Sequence, residues 1–213
     1  MTPPPQAQPA RLKAVIFDLD GVIFDSQDAN VAFYNHILEA LGLPPRAEEQ
    51  REIIHREAME GALRALVGDG ELLQRGLAYW RTMDTRPFVA KLTLFPQVRE
   101  TLDFLAGTFQ LAVATNRTST ARPALERFNL WERFSVVLTP LDVGPPKPHP
   151  AIMEATLAHL GLGREEVLYV GDSAIDEELC LAADVPLLAF RNPELRAWAH
   201  AEEFPQIPGL LGL

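Results

Sequence analysis

Cysteine, lysine and long apolar runs are all scarce in this chain of 213 residues. Cys180 is its only cysteine, so no disulfide can close within the chain, and its place in an apolar stretch reads as packing rather than chemistry. A reducing, cytoplasmic compartment is the expectation. No uninterrupted apolar run approaches the roughly 20 residues that span a bilayer, so a membrane partner is not expected. Met1 to Ala10 is rich in proline and glutamine, lacks the basic start and apolar stretch of a secretory signal, and reads as a disordered tail. Positive charge is also in deficit, with a formal net charge of -10. A polyanion such as DNA or RNA finds no broad basic field here, and any anionic ligand must be neutralised locally. Nothing in the sequence fixes an oligomeric state.

What is present is a large apolar fraction, 47%, enough for one core with a small accessory domain. Short apolar runs at Ala14 to Phe17, Leu111 to Ala114, Ser135 to Leu138, Val167 to Val170 and Pro186 to Phe190 predict buried strands. Between or after them, Gln97 to Ala106, Ser119 to Phe128, Pro150 to Leu160 and Ile175 to Ala183 carry apolar residues at helical spacing. The alternation predicts an α/β fold with a mostly parallel sheet covered on both faces. One segment breaks it: residues 27–85 offer only helical patterns, at Ala29 to Leu41, Glu48 to Leu66 and Glu71 to Met83. We read it as an inserted helical cap between two parts of a core, residues 11–26 and 86–213. Pro87 disfavours helix through Arg86, which places a hinge near Thr85 to Pro87 and another at Asp25-Ser26.

The chemistry follows the apolar runs. The first leads into Asp18-Leu19-Asp20-Gly21, the second into Thr115-Asn116, and the fourth into Gly171-Asp172-Ser173. In an open parallel sheet, ligands bind at the carboxyl ends of the strands, so these groups meet in one crevice, with Lys147 in a loop able to reach it. Asp18 and Asp20 are two apart, which on extended backbone turns both carboxylates to one side. With Asp172 they form an anionic cluster that is unfavourable without a cation, and all-oxygen ligands suit a hard ion such as Mg2+. The bland reading, aspartates as turn formers and helix caps, suffices for the tetrapeptide alone but not for the ordered set.

That set resembles the haloacid dehalogenase superfamily of phosphotransferases, in the phosphoglycolate-phosphatase-like and β-phosphoglucomutase-like branch with a helical cap inserted after the first strand. The resemblance covers about residues 12–190 and implies a Rossmann-like core with strand order 5-4-1-2-3. It identifies Asp18 as the nucleophile and Asp20 as the general acid/base, both counted with Asp172 among the metal residues. Thr115 matches the phosphate-binding hydroxyl, and Lys147, in Lys147-Pro148-His149-Pro150, the lysine of the third motif. Gly171-Asp172-Ser173-Ala174-Ile175-Asp176 matches the acidic motif that holds magnesium. The implied activity is hydrolysis of a small phosphorylated metabolite through an aspartyl-phosphate intermediate.

Several expectations are finer. Asn116 orients the phosphate loop or a substrate oxygen, and Asp176, four residues after Asp172, stands behind the metal ligands. Lys147→Ala is expected to lose most turnover while folding normally. In the cap, His55 and Arg56, within the loop His55 to Gly61, are candidates for meeting the leaving group. Asp184 stands where the family often has a helix-ending glycine, which Asp tolerates. Asn30 stands where related sugar-phosphate mutases carry histidine, which weakens a mutase reading. A mutase, a dehalogenase, a non-catalytic phosphometabolite-binding protein and a phosphoryl-accepting receiver are the alternatives.

Overall fold

Runs that are apolar at every position become strands buried on both faces. The computed structural model describes residues 11–57 and 59–213, apart from the side chains of Glu52, His55 and Arg56; the expected tail, residues 1–10, lies outside the described residues. Its strands are β1 (Ala14–Phe17), β2 (Phe24–Asp25), β3 (Thr93–Leu94), β4 (Gln110–Ala114), β5 (Val136–Leu138), β6 (Val167–Gly171), β7 (Leu187–Phe190) and β8 (Ala199–Ala201). Six form one sheet in the order β5-β4-β1-β6-β7-β8, and each neighbouring pair is parallel. The five expected strands thus follow the implied order, with β1 between β4 and β6 and with β8 added beyond β7. β2 and β3 pair separately as a two-stranded sheet.

Both faces of the main sheet are covered. Ala14 and Ile16 of β1 lie in one apolar cluster with Ala112, Tyr169, Leu179 and Leu187. Phe17 packs against Phe134 and Phe204, each ring centroid 6.4 Å away. The helices Val98–Ala106, Ala121–Arg127, Ala151–Leu160 and Ala174–Ala183 connect the strands, which is the α/β alternation the sequence predicts. The last ends on Asp184 in the left-handed conformation, φ 55° and ψ 45°, without the glycine that such a cap usually takes.

The chain divides into two units: one runs to Phe24 and resumes at Leu94, and the other is Asp25–Thr93. The second has its own core, in which Tyr34, Ile37, Leu38, Leu63, Leu66 and Leu77 are buried. Two features differ from the sequence reading. The expected helix Glu48 to Leu66 is three pieces, a 3-10 turn at Ala47–Gln50 and helices Arg51–Arg56 and Met59–Val67, with Glu57 extended. On one continuous helix Ile54 and Leu63, nine positions apart, would face opposite sides at about 100° per residue. The break lets both enter the same core. Pro87 does not end the segment but sits in the first turn of a helix, Arg86–Val89, where a missing N–H sacrifices no bond. Phe88 of that turn contacts Phe33 at 5.3 Å and His36 at 5.5 Å, so the second unit continues to Thr93. Among the described residues, no helix is long and apolar enough to cross a membrane.

Candidate active site

Sheet register decides which loops meet. Phe17 pairs with Val113 on one side and Val170 on the other, so β1, β4 and β6 release their chains at one level, into Asp18, Thr115 and Asp172. The Asp18 N–H still donates to the Val170 carbonyl (3.0 Å) and that of Thr115 to Leu138 (3.2 Å), which anchors both residues to the sheet edge.

Asp18, Asp172 and Asp176 each offer a carboxylate oxygen, and these oxygens all lie within 4.8 Å of one another. The Lys147 ammonium reaches into the group, 2.8 Å from Asp18 Oδ2 and 2.7 Å from Asp176 Oδ1. Burial, assisted by Asp176, Asp172 and Asp20, pushes the Asp18 carboxyl up to about 7 against the opposing pull of Lys147. Burial disfavours the Lys147 ammonium too, but Asp176 and Asp18 outweigh it and hold its pKa above the usual lysine range. Asp176 goes the other way from Asp18: its own burial is outweighed by Lys147 and by hydrogen bonds from Lys147 and Ser173, and its pKa is lowered.

The reason lies in the bonds. Asp176 Oδ1 accepts from Lys147 Nζ (2.7 Å) and lies 3.1 Å from the Tyr169 hydroxyl. Its Oδ2 accepts from the N–H groups of Asp172 and Ser173 (each 3.2 Å) and from Ser173 Oγ (2.7 Å). With these bonds Asp176 braces the Asp172 loop and Lys147. Asn116 has a similar task. Its Oδ1 accepts from the Lys147 N–H (2.7 Å) and its Nδ2 donates to the Lys147 carbonyl (3.2 Å). Both amide atoms of Asn116 are thus engaged with the main chain of Lys147.

Gly21 makes room for the cluster. Its φ is +75°, and a Cβ placed there would lie 2.0 Å from Asp172 Oδ2. Gly21→Ala is therefore expected to displace the Asp172 carboxylate and to weaken Mg2+ binding about tenfold or more, read by isothermal titration. Unchanged affinity in that variant would remove Asp172 from the ion site.

Asp20, expected among the metal residues, pairs its carboxylate with Arg117. Arg117 Nε donates to Asp20 Oδ2 (2.9 Å) and Arg117 Nη2 to Oδ1, in a two-bond ion pair with little exposure. Arg117 was not legible as a partner. It directly follows Thr115-Asn116, but an arginine in an arginine-rich chain gives no signal that its contact lies 97 residues away. Thr115, 1% exposed, accepts at Oγ1 from the Arg117 N–H (3.2 Å). The side chains of His55 and Arg56 lie outside the described residues.

The donor set fits a magnesium ion: two carboxylates with oxygens close together, Asp18 and Asp172, a third committed to bracing them, and one lysine against three acids. Residual negative charge and the raised Asp18 pKa both mark a place where a divalent cation lowers the electrostatic cost.

Residues 15–190 match the family model described as haloacid dehalogenase-like hydrolase. A phosphoglycolate phosphatase of Photorhabdus laumondii is 32% identical over 195 residues, covering 82% of this chain and 78% of its own. A haloacid dehalogenase-superfamily hydrolase of subfamily IA, variant 1, from Geobacter sulfurreducens superposes with a TM-score of 0.80 at 38% identity, covering 93% of this chain and 99% of that one. A haloacid dehalogenase-like family protein of Streptococcus pneumoniae, 18% identical, shares the fold with a TM-score of 0.82, over 94% of this chain and 98% of that one.

Proposed function

The chain belongs to the haloacid dehalogenase-like hydrolases and is a phosphoric monoester hydrolase, and from that premise we propose that it is a magnesium-dependent phosphatase that works through a phosphoaspartate. The substrate we propose is a small, soluble metabolite, phosphoglycolate or a sugar phosphate, met in the cytoplasm. The observation that carries the reading is the buried Asp18 carboxylate, 2.8 Å from Lys147 Nζ and sharing a site with Asp172.

Asp18 is the nucleophile. Left alone, an anion would repel an anionic ester, and Lys147 offsets both charges from a buried position that water does not screen. Thr115 offers its hydroxyl to the phosphoryl oxygens. Asp18 Oδ attacks phosphorus, the bond to the leaving oxygen breaks, and Asp20 in its acid form protonates that oxygen. Asp20 then takes a proton from the water that cleaves the acyl phosphate, releasing inorganic phosphate and restoring Asp18. Magnesium would be held by Asp18 and Asp172, and when bound it supplies further charge neutralisation at the phosphoryl oxygens. With the Asp20 carboxylate on Arg117, any share of Asp20 in holding the ion falls to its main chain.

A screen of phosphate release over phosphoglycolate, sugar phosphates, nucleoside monophosphates and pyrophosphate tests the reading. Release with Mg2+ and its loss in EDTA are expected, and release that survives EDTA would refute the metal requirement. Metal and proton compete for Asp18. In the metal-free protein its pKa of about 7 lies above the ordinary 3.8, so stability tied to the neutral form is full below about pH 4 and is lost as pH rises through about 7. Added Mg2+ is therefore expected to raise Tm clearly at about pH 8 and hardly at about pH 5. An equal shift at both pH values would mean that the ion binds without Asp18.

A further inference from the structure

The Asp20–Arg117 pair joins the loop after β1 to the loop after β4. Two parallel bonds from a guanidinium fork fix both oxygens of a carboxylate in one plane, and this pair is 20% and 10% exposed on the two side chains. Arg117 is itself held, since Nη1 donates to Thr120 Oγ1 (3.1 Å) and its main-chain N–H donates to Thr115 Oγ1 (3.2 Å). The residue that carries the phosphate-binding hydroxyl and the residue that grips Asp20 are thus two positions apart on one braced loop.

From this geometry, and resting on the phosphatase reading above, we infer that Arg117 is the positioning residue that aims Asp20 at the attacking water in the second half of the reaction. In that step the water oxygen bonds to phosphorus and the bond between phosphorus and the Asp18 oxygen breaks, with its electron pair returning to Asp18. The water proton passes to Asp20, and inorganic phosphate leaves. Arg117 touches none of the reacting atoms. It fixes where the acceptor oxygens stand, and a carboxylate that swings freely meets the water less often.

p-Nitrophenyl phosphate with Mg2+ separates the two halves, because its good leaving group needs little help from an acid. In Arg117→Gln a burst of about one p-nitrophenolate per protein is expected, followed by turnover about 10- to 100-fold slower than in the unaltered chain. KM should fall in step with kcat, leaving kcat/KM nearly unchanged, as happens when a covalent intermediate accumulates. Arg117→Lys keeps the charge but not the fork and should lie between. Asp20→Asn combined with Arg117→Gln should be no slower in the second phase than Asp20→Asn alone. A loss without a burst, kcat/KM falling with kcat, or additive losses in the double variant would each overturn the inference. Controls keep the two readings apart. Absence of phosphate release from the unaltered chain, or a persistent burst in Asp18→Asn, sinks the phosphatase reading and this inference together. A normal unaltered chain beside burst-free Arg117 variants sinks the inference alone.

Discussion

Asp18→Asn is expected to lower phosphate release by about 10⁴-fold or more while leaving the fold intact. Without the carboxylate no phosphoaspartate can form at position 18, and Asp176 does not stand in for it, being occupied by Lys147, Tyr169 and Ser173. The fold should survive, because burial already pushes Asp18 up to about 7 and the site therefore accommodates a neutral side chain there. Lys147 keeps Asp176 as a partner. Tm in the absence of metal should be equal to or above that of the unaltered chain, whereas the gain from added Mg2+ should shrink. Mass spectrometry of enzyme trapped during turnover should find phosphate on Asp18, and a label on another residue would reject its role.

Lys147→Ala should fail in a different manner. A loss of turnover of about 10²- to 10³-fold follows from removing a buried cation beside the transferring group. The sequence alone suggests that this variant folds normally, but the structure argues against that. Lys147 is 3% exposed and bridges two buried carboxylates, and removing one partner of such a pair costs about 3 to 5 kcal/mol because the remaining charges are uncompensated. At the size of this chain the fall in Tm is on the order of 10 °C. It should widen as pH rises, since Asp18 resists ionisation still more once Lys147 is gone. A variant with normal Tm and normal kcat would contradict both the electrostatic and the catalytic account.

The strand ends were legible because each signal was local: an apolar run followed by Asp18, Thr115 or Asp172 announces a buried strand delivering a polar group. Lys147 needed only its place between those motifs. What remained hidden depends on distance or brevity. The Arg117 grip on Asp20 and the Asn116 clamp on Lys147 are contacts 97 and 31 residues apart, and neither residue type has a pattern that names its partner. β8 is three residues, Ala199–Ala201, too short and too weakly apolar to stand out from a loop. β2 and β3, two residues each, carry no periodicity at all. The break at Glu57 is written only in the disagreement between Ile54 and Leu63 about which side is inside. The proline at position 87 is compatible with a break and with a first helical turn, and the sequence does not say that a new helix starts there.

Lys147 has two acidic neighbours, and the proposed turnover alters only one of them. In the proposed cycle Asp18 ceases to be a free carboxylate each time it becomes an acyl phosphate, whereas Asp176, at 0% exposure with its oxygens tied, takes no part in that bond change. The lysine therefore has a permanent counterweight. With that partner it should keep its buried place and its proton while the nucleophile is occupied, so that the next substrate meets the same electrostatic landscape as the last.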